Sequence, residues 1–134
     1  MSDKIIHFKL ITPEKIVFED DVEAIYAQGE RGSFGILPNH IPFMSSLAVD
    51  VAKVIKNGEE KTFSIIGGAL QFKNNEAIIL TEAAECGSDI DTARAQLAKE
   101  RAEAKLSTAE TQRDIKLANA ALARAMARLK AASK

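Results

Sequence analysis

Five side chains near the end of this sequence could do chemistry together: Asp91, Arg94, Arg101, Arg124 and Arg128. Arg94 and Arg101 stand two helical turns apart and Arg124 and Arg128 one turn apart, so each pair shares a helix face. If two helices fold back about a turn near residue 109, positions 94 and 124 come level, as do 91 and 128. Three or four guanidiniums beside one carboxylate leave an excess of positive charge. A polyanion such as a nucleotide triphosphate would relieve it, because guanidinium forks match phosphate oxygens. The same residues also read as a solvated basic face with an Asp–Arg pair at i, i+3, worth roughly a few tenths of a kcal/mol. Spacing leaves both readings open.

The elements that must position these residues lie in 88–134, which holds 14 Ala among 47 residues and no Gly or Pro. Ser88 or Asp89 can cap a first helix, and Asp89 and Asp91 suit the positive end of its dipole. Ile90, Leu97 and Ala104 recur every seven residues. Ile115, Ala118, Leu122, Ala125 and Leu129 follow a 3-4-3-4 pattern, the seam of a close helix pair. Ser107-Thr108 is the expected turn, and with no Gly or Pro it could straighten into one long helix. A Leu seam buries several methylenes per residue at roughly 0.8 kcal/mol each, and an Ala seam far less. Such a hairpin is marginal alone. It needs the rest of the chain, a ligand or a partner.

Residues 1–87 have the opposite character. All seven Gly, all three Pro and all seven aromatics fall there. Ile6, Phe8 and Leu10 alternate with polar neighbours before Thr12-Pro13, and Val22, Ala24 and Tyr26 repeat the period. Leu47, Val49 and Val51 lead to Asn57-Gly58, a strong hairpin signal, with Thr62–Ile66 returning to Gly67-Gly68. Ala69–Phe72 and Ala77–Leu80 flank a second turn at 73–76. The expected fold is β + α: an N-terminal antiparallel β-sandwich or small barrel over 1–87, then a C-terminal two-helix antiparallel hairpin over 88–134.

The formal net charge of −1 hides the same division, since 1–87 carries −5 and 88–134 carries +4. No apolar run approaches the ~18 residues that span a bilayer. Met1 to Lys15 lack the layout of a signal peptide, and one cysteine, Cys86, excludes an internal disulfide and a cysteine-based zinc site. A reducing cytoplasm is expected. Gly29–Gly35 is glycine-rich but lacks the Lys-Ser/Thr ending of a phosphate loop, so it reads as a turn. His7 and His40 are too few and too separate for a persuasive metal site. Ser45-Ser46 has no base nearby. The basic tail has no aromatic for base stacking, which argues against nucleic acid. No catalytic constellation emerges.

Gly32-Ser33-Phe34-Gly35-Ile36-Leu37-Pro38-Asn39-His40-Ile41-Pro42 closely resembles a glycine-proline segment of the epsilon subunit of F-type ATP synthase. Gly67-Gly68 resembles that family's paired glycines, and the likeness runs the length of the chain. It implies a non-catalytic subunit of the rotating central stalk, peripheral on the cytoplasmic face of the membrane, not inserted into it. The sandwich would sit against the gamma subunit and the c-ring, helping to couple proton or sodium flow to rotation. The hairpin would lie folded on the sandwich or extend toward acidic loops of the catalytic alpha and beta subunits, blocking ATP hydrolysis.

Ile90-Asp91-Thr92-Ala93-Arg94-Ala95 is similar to the I/L-D-x-x-R-A motif of bacterial epsilon subunits that bind ATP without hydrolysing it. The resemblance then implies an ATP site of Ile90, Asp91, Arg94 and Ala95, completed by Arg101, Arg124 and Arg128, with Glu85 as an adenine-side contact. ATP would be a regulatory ligand. The competing class is a freestanding ATP-sensing domain, which would act without gamma or the c-ring.

Overall fold

The computed structural model describes residues 5–133. Ten strands run in order: β1 Ile6–Ile11, β2 Ile16–Val22, β3 Ala24–Gly29, β4 Gly32–Ile36, β5 Phe43–Ser46, β6 Val49–Lys56, β7 Glu59–Ile66, β8 Ala69–Lys73, β9 Glu76–Leu80 and β10 Ala84–Cys86. A short 3-10 helix, Gly87–Asp89, leads to α1, Thr92–Thr108, and α2, Gln112–Ala132. The strands form two five-stranded sheets, ordered β2-β1-β9-β8-β5 and β10-β7-β6-β3-β4. The sandwich is antiparallel as expected except for one pairing, β1 with β9, which is parallel.

Period-2 alternation builds the core. Ile6, Phe8 and Leu10 on β1 are fully buried, and they meet Phe63, Ile65, Phe72 and Ile79 between the sheets. Both predicted hairpin turns place consecutive residues in the left-handed region that two-residue turns require: Asn57 and Gly58 at φ 52° and 77°, Asn74 and Asn75 at 53° and 59°. Within Gly29–Gly35 the turn is Glu30-Arg31, with Gly29 paired to Gly32 across β3 and β4, and residues 32–35 already belong to β4. Gly68 has a tighter reason for being glycine. Its φ is +100°, and a Cβ there would lie 2.0 Å from the Leu80 carbonyl oxygen.

Several expectations shift in phase. Tyr26 is exposed while Ile25 and Ala27 face the core, because β2 ends at Val22 and β3 restarts at Ala24. On β6 the core side chains are Ala52 and Val54, whereas Val51 packs under the hairpin. Strand β7 buries Thr62, Phe63, Ser64 and Ile65 in succession. Such a run means both faces of the sheet are covered. The core covers one, and α2 covers the other.

The hairpin turn falls at Ala109–Thr111, later than Ser107-Thr108. Ser107 and Thr108 remain helical, their hydroxyls donating to the Ala104 carbonyl. Thr111 is the true signal, since its hydroxyl accepts from the Asp114 amide and starts α2. Ser88 and Asp89 do not cap α1; Asp91 does. On α1 the buried seam is Ala95 and Ala102, while Leu97 is 46% exposed. On α2 two alanine stripes are buried: Ala118 with Ala125, and Ala127 with Ala131. Positions 125 and 127 differ by about 200° around the helix, so the stripes face opposite ways. Ala131 meets the sandwich, which leaves Ala118 and Ala125 for α1.

Candidate functional site

Two arrangements stand out, one at the tip of the sandwich and one where the hairpin meets it. At the tip, the segment after β4 is fixed by its own polar residues. The His40 ring sits edge-on to Phe43 and Phe72, with centroids 5.7 and 5.8 Å away. The Asn39 amide donates to the Asn75 side chain at 2.6 Å, and Asn75 Nδ2 donates back to Asn39 Oδ1 at 3.0 Å. The loop so held presents Leu37, Ile41 and neighbouring Met44, exposed by 56%, 73% and 70%. Three large apolar side chains so exposed within eight residues form a patch of the kind that partner proteins cover.

At the junction, β10 places Glu85 opposite Ser64, on the side of β7 that α2 covers. Its carboxylate accepts from Arg128 Nε at 2.8 Å. Two residues further along α2, Lys130 Nζ donates to Asp50 Oδ1 at 2.9 Å. Beneath them, Ile90, Ala95 and Ala131 form a small apolar cluster bordered by Val51, Leu129 and Ala132. The Thr62 hydroxyl donates to the Ala131 carbonyl at 2.8 Å, buried. Gly87 lies against the same carbonyl, and a Cβ there would come within 2.3 Å of its oxygen.

The eight residues expected to form one anion site are therefore divided. Glu85 and Arg128 are joined, and Ile90 and Ala95 pack together beside them. Asp91 accepts from the Arg94 backbone amide at 3.1 Å, so its carboxylate caps α1 instead of pairing with a guanidinium. The Asp–Arg side-chain pair of the solvated-face reading is not formed: an N-cap geometry turns the short carboxylate back on the free amides of the first turn. Among the described residues, the Arg94, Arg101 and Arg124 guanidiniums have no hydrogen bond or ion pair. Arg124 lines a cavity of about 500 Å³ toward the turn, with Lys105, Asp114 and Leu117. Thr62, Gly87, Lys130 and Asp50 were not foreseen. The available signal was Ala127 and Ala131, one turn apart on the face away from the expected seam.

Elsewhere on the sandwich, His7 lies between Glu19 at 2.7 Å and Asp21 at 3.0 Å. The Asp21 hydrogen bond, then that of Glu19, raises the His7 pKa above its ordinary value. Asp20 is held below the usual carboxylate range, chiefly by its hydrogen bond from Lys56. Cys86 is a free thiol, 3.3 Å from the Ser88 hydroxyl. No helix among the described residues is long and apolar enough to cross a membrane.

A two-sheet sandwich with exposed apolar side chains after β4, carrying a basic two-helix hairpin on one flank, defines the structural class. Comparison with known proteins makes the class specific. The family profile described as "ATP synthase, Delta/Epsilon chain, beta-sandwich domain" matches residues 5–87, and "ATP synthase, Delta/Epsilon chain, long alpha-helix domain" matches 88–133. The chain is 39% identical over 128 residues to the ATP synthase epsilon chain of Nitratidesulfovibrio vulgaris, covering 96% of each. It is 40% identical to that of Syntrophobacter fumaroxidans over 134 residues, covering 100% of this chain and 99% of the other. A chain in the Euglena gracilis mitochondrial ATP synthase shares the fold, with a TM-score of 0.84 at 24% identity, covering 98% of this chain and 82% of that one. The chain belongs to the ATP synthase delta/epsilon family, and within it resembles the bacterial epsilon chains, non-catalytic subunits of the synthase.

Proposed function

We propose that the chain works in the central stalk of the synthase, at the cytoplasmic face of the membrane, as a coupling element with a regulatory arm. The sandwich docks on the gamma subunit and the c-ring through the tip that exposes Leu37, Ile41 and Met44. The arm is the hairpin. It rests on the sandwich in the permissive state and extends toward the catalytic alpha and beta subunits to block hydrolysis. The observation that carries this reading is the attachment of the hairpin: α2 lies along β6 and β7, while α1 packs mainly on α2. A basic arm held by one helix can leave an acidic body at modest cost.

ATP is the proposed ligand of the docked arm. Arg94, Arg101 and Arg124 carry guanidiniums without an acidic partner, and Asp91 is committed to the α1 amide, so the free donor set suits phosphate oxygens. ATP that binds only the docked form adds RT ln(1 + [ATP]/Kd), about 1.4 kcal/mol at ten times Kd. That moves the docked-to-released ratio roughly tenfold, a bias and not a lock. Ample ATP then favours the permissive state.

Calorimetry on the full chain tests the site. Arg94→Ala should weaken ATP binding about tenfold, the worth of one charge-assisted contact, with sandwich stability unchanged. Equal affinity in the two proteins would remove Arg94 from the site. Capture of gamma and the c-ring by the full chain separates the rotor reading from a freestanding ATP sensor, which would retain neither.

A further inference from the structure

The end of α2 has an unusual account of its carbonyls. The last four carbonyls of a helix lack intrahelical donors. Here the Leu129 carbonyl accepts from the Ser133 amide at 3.1 Å, and the Lys130 carbonyl from the Ser133 hydroxyl at 2.8 Å. The next one, on Ala131, is served from outside the helix by the Thr62 hydroxyl of β7. Thr62 is 6% exposed and Ala131 1%, so neither group has ready access to water while the hairpin is docked. Gly87 makes the approach possible, since any Cβ there would collide with both the Ala131 oxygen and, at 2.6 Å, Thr62 Oγ1.

We infer that Thr62, Gly87 and the Ala131 carbonyl form a conformational latch, in which the sandwich caps α2 only while the hairpin is docked. The bond is state-selective by geometry. A hydroxyl on β7 can reach the end of α2 in the docked arrangement and in no arrangement where the hairpin has left. Release exchanges one buried bond for two water-bonded groups, so the latch sets part of the docked-to-released ratio without any ligand. Its position is also informative. The ion pairs Glu85–Arg128 and Asp50–Lys130 lie within three residues of Ala131, so the C-terminal end of α2 gathers the directional contacts that release has to undo. The inference deepens the reading of the hairpin as a mobile arm and rests on it.

Hydrogen exchange on the full chain, without nucleotide, tests it in wild type, Thr62→Val, Thr62→Ser and Gly87→Ala. Thr62→Val keeps the shape and removes the donor. It should speed exchange of the last two turns of α2 about fivefold, the worth of one net hydrogen bond, and leave the β7 amides unchanged. Thr62→Ser, which retains a hydroxyl, should return the rate to within about twofold of wild type. Gly87→Ala should loosen the same turns by displacing the carbonyl. The latch is overturned if Thr62→Val leaves α2 at the wild-type rate, or if Thr62→Ser behaves as Thr62→Val does. It is equally overturned if α2 and β7 accelerate together, because the hydroxyl then supports the whole fold. The mobile-arm reading fails separately, if α2 in the wild type is as protected as β7. Thr62→Val still decides the latch in that case, by whether α2 becomes faster than β7.

Discussion

The two sheets and the two helices are held together by different means. Between the sheets lie Phe8, Phe63, Phe72, Leu10, Ile25, Ile36 and Ile79, each less than 2% exposed. Between α1, α2 and the outer face of β6 and β7, the buried side chains are nearly all alanine, with Ile90 the largest. Burial is worth ~25 cal/mol per Å² of apolar surface, so one phenylalanine outweighs several alanine methyls. The hairpin makes up part of the difference with directional contacts, two ion pairs and one buried hydroxyl bond. Apolar burial resists any opening, whereas a few polar contacts at one end can be undone together. One polypeptide thus contains a body held by large apolar side chains and an arm held by alanines and a few polar contacts.

The largest expected effect breaks the body. Phe63 is 1% exposed, and its ring lies 5.1 Å from that of Phe18. Phe63→Ala removes that contact and leaves a cavity, which costs about 3–5 kcal/mol in comparable cores. Denaturant unfolding followed by far-ultraviolet circular dichroism should show the whole chain losing stability by that order, hairpin included, because α2 loses its platform. A loss below about 1 kcal/mol would mean that the sandwich is not the stability-determining half.

A middle-sized effect should fall on the arm alone. Ala125 is 1% exposed on the stripe that faces α1. Ala125→Leu inserts three carbons where the helices pack closely, and overpacking of this kind costs about 1–3 kcal/mol. Exchange of α1 amides should rise while β1, β7 and β9 keep their protection. Loosening of those strands as well would show that arm and body unfold as one unit, against the contrast drawn above.

The body was far more legible in the sequence than the arm's attachment. Strand alternation, the Asn57-Gly58 turn and the helix-forming tail are local patterns, and local sterics determine them. Their phase was less legible, because Val51 is apolar to meet the hairpin, not the core, and alternation cannot tell one covered face from the other. The seam of α1 failed for a related reason. Leu97 looks like a core residue by hydrophobicity, but close helix approach selects Ala95 and Ala102 and leaves Leu97 outside. The charged residues were legible as a group and not as partners. Arg128 pairs with Glu85 across 43 positions of sequence, and Thr62 reaches Ala131 across 69. No spacing rule for a helix or a hairpin contains those distances. Asp91 was the opposite case: its nearest available donor, an amide three residues on, takes precedence over remote guanidiniums.

The smallest effect uses pH to reach the body without touching the arm. His7 and its partners Glu19 and Asp21 lie on β1 and β2, in the sheet opposite the one on which α2 packs, so their titration should register in the sandwich. The His7 pKa is raised in the folded chain from 6.5, first by the Asp21 hydrogen bond and then by that of Glu19. A raised folded value means that protonation favours the native state. The contribution is complete below the unfolded pKa of 6.5 and fades as pH climbs through the folded one. The His7 side chain is 44% exposed, so solvent screens the pair and the gain stays under about 1 kcal/mol. Denaturation midpoints measured from pH 6 to pH 8, a window chosen to bracket roughly the ordinary histidine range, should fall slightly with rising pH. The slope should flatten in His7→Gln. Protection of the α2 amides relative to β7, measured across the same interval, should rise as the sandwich alone weakens, since the arm has no share in the histidine. A parallel fall in both would tie the two halves together more tightly than alanine seams and three polar contacts allow.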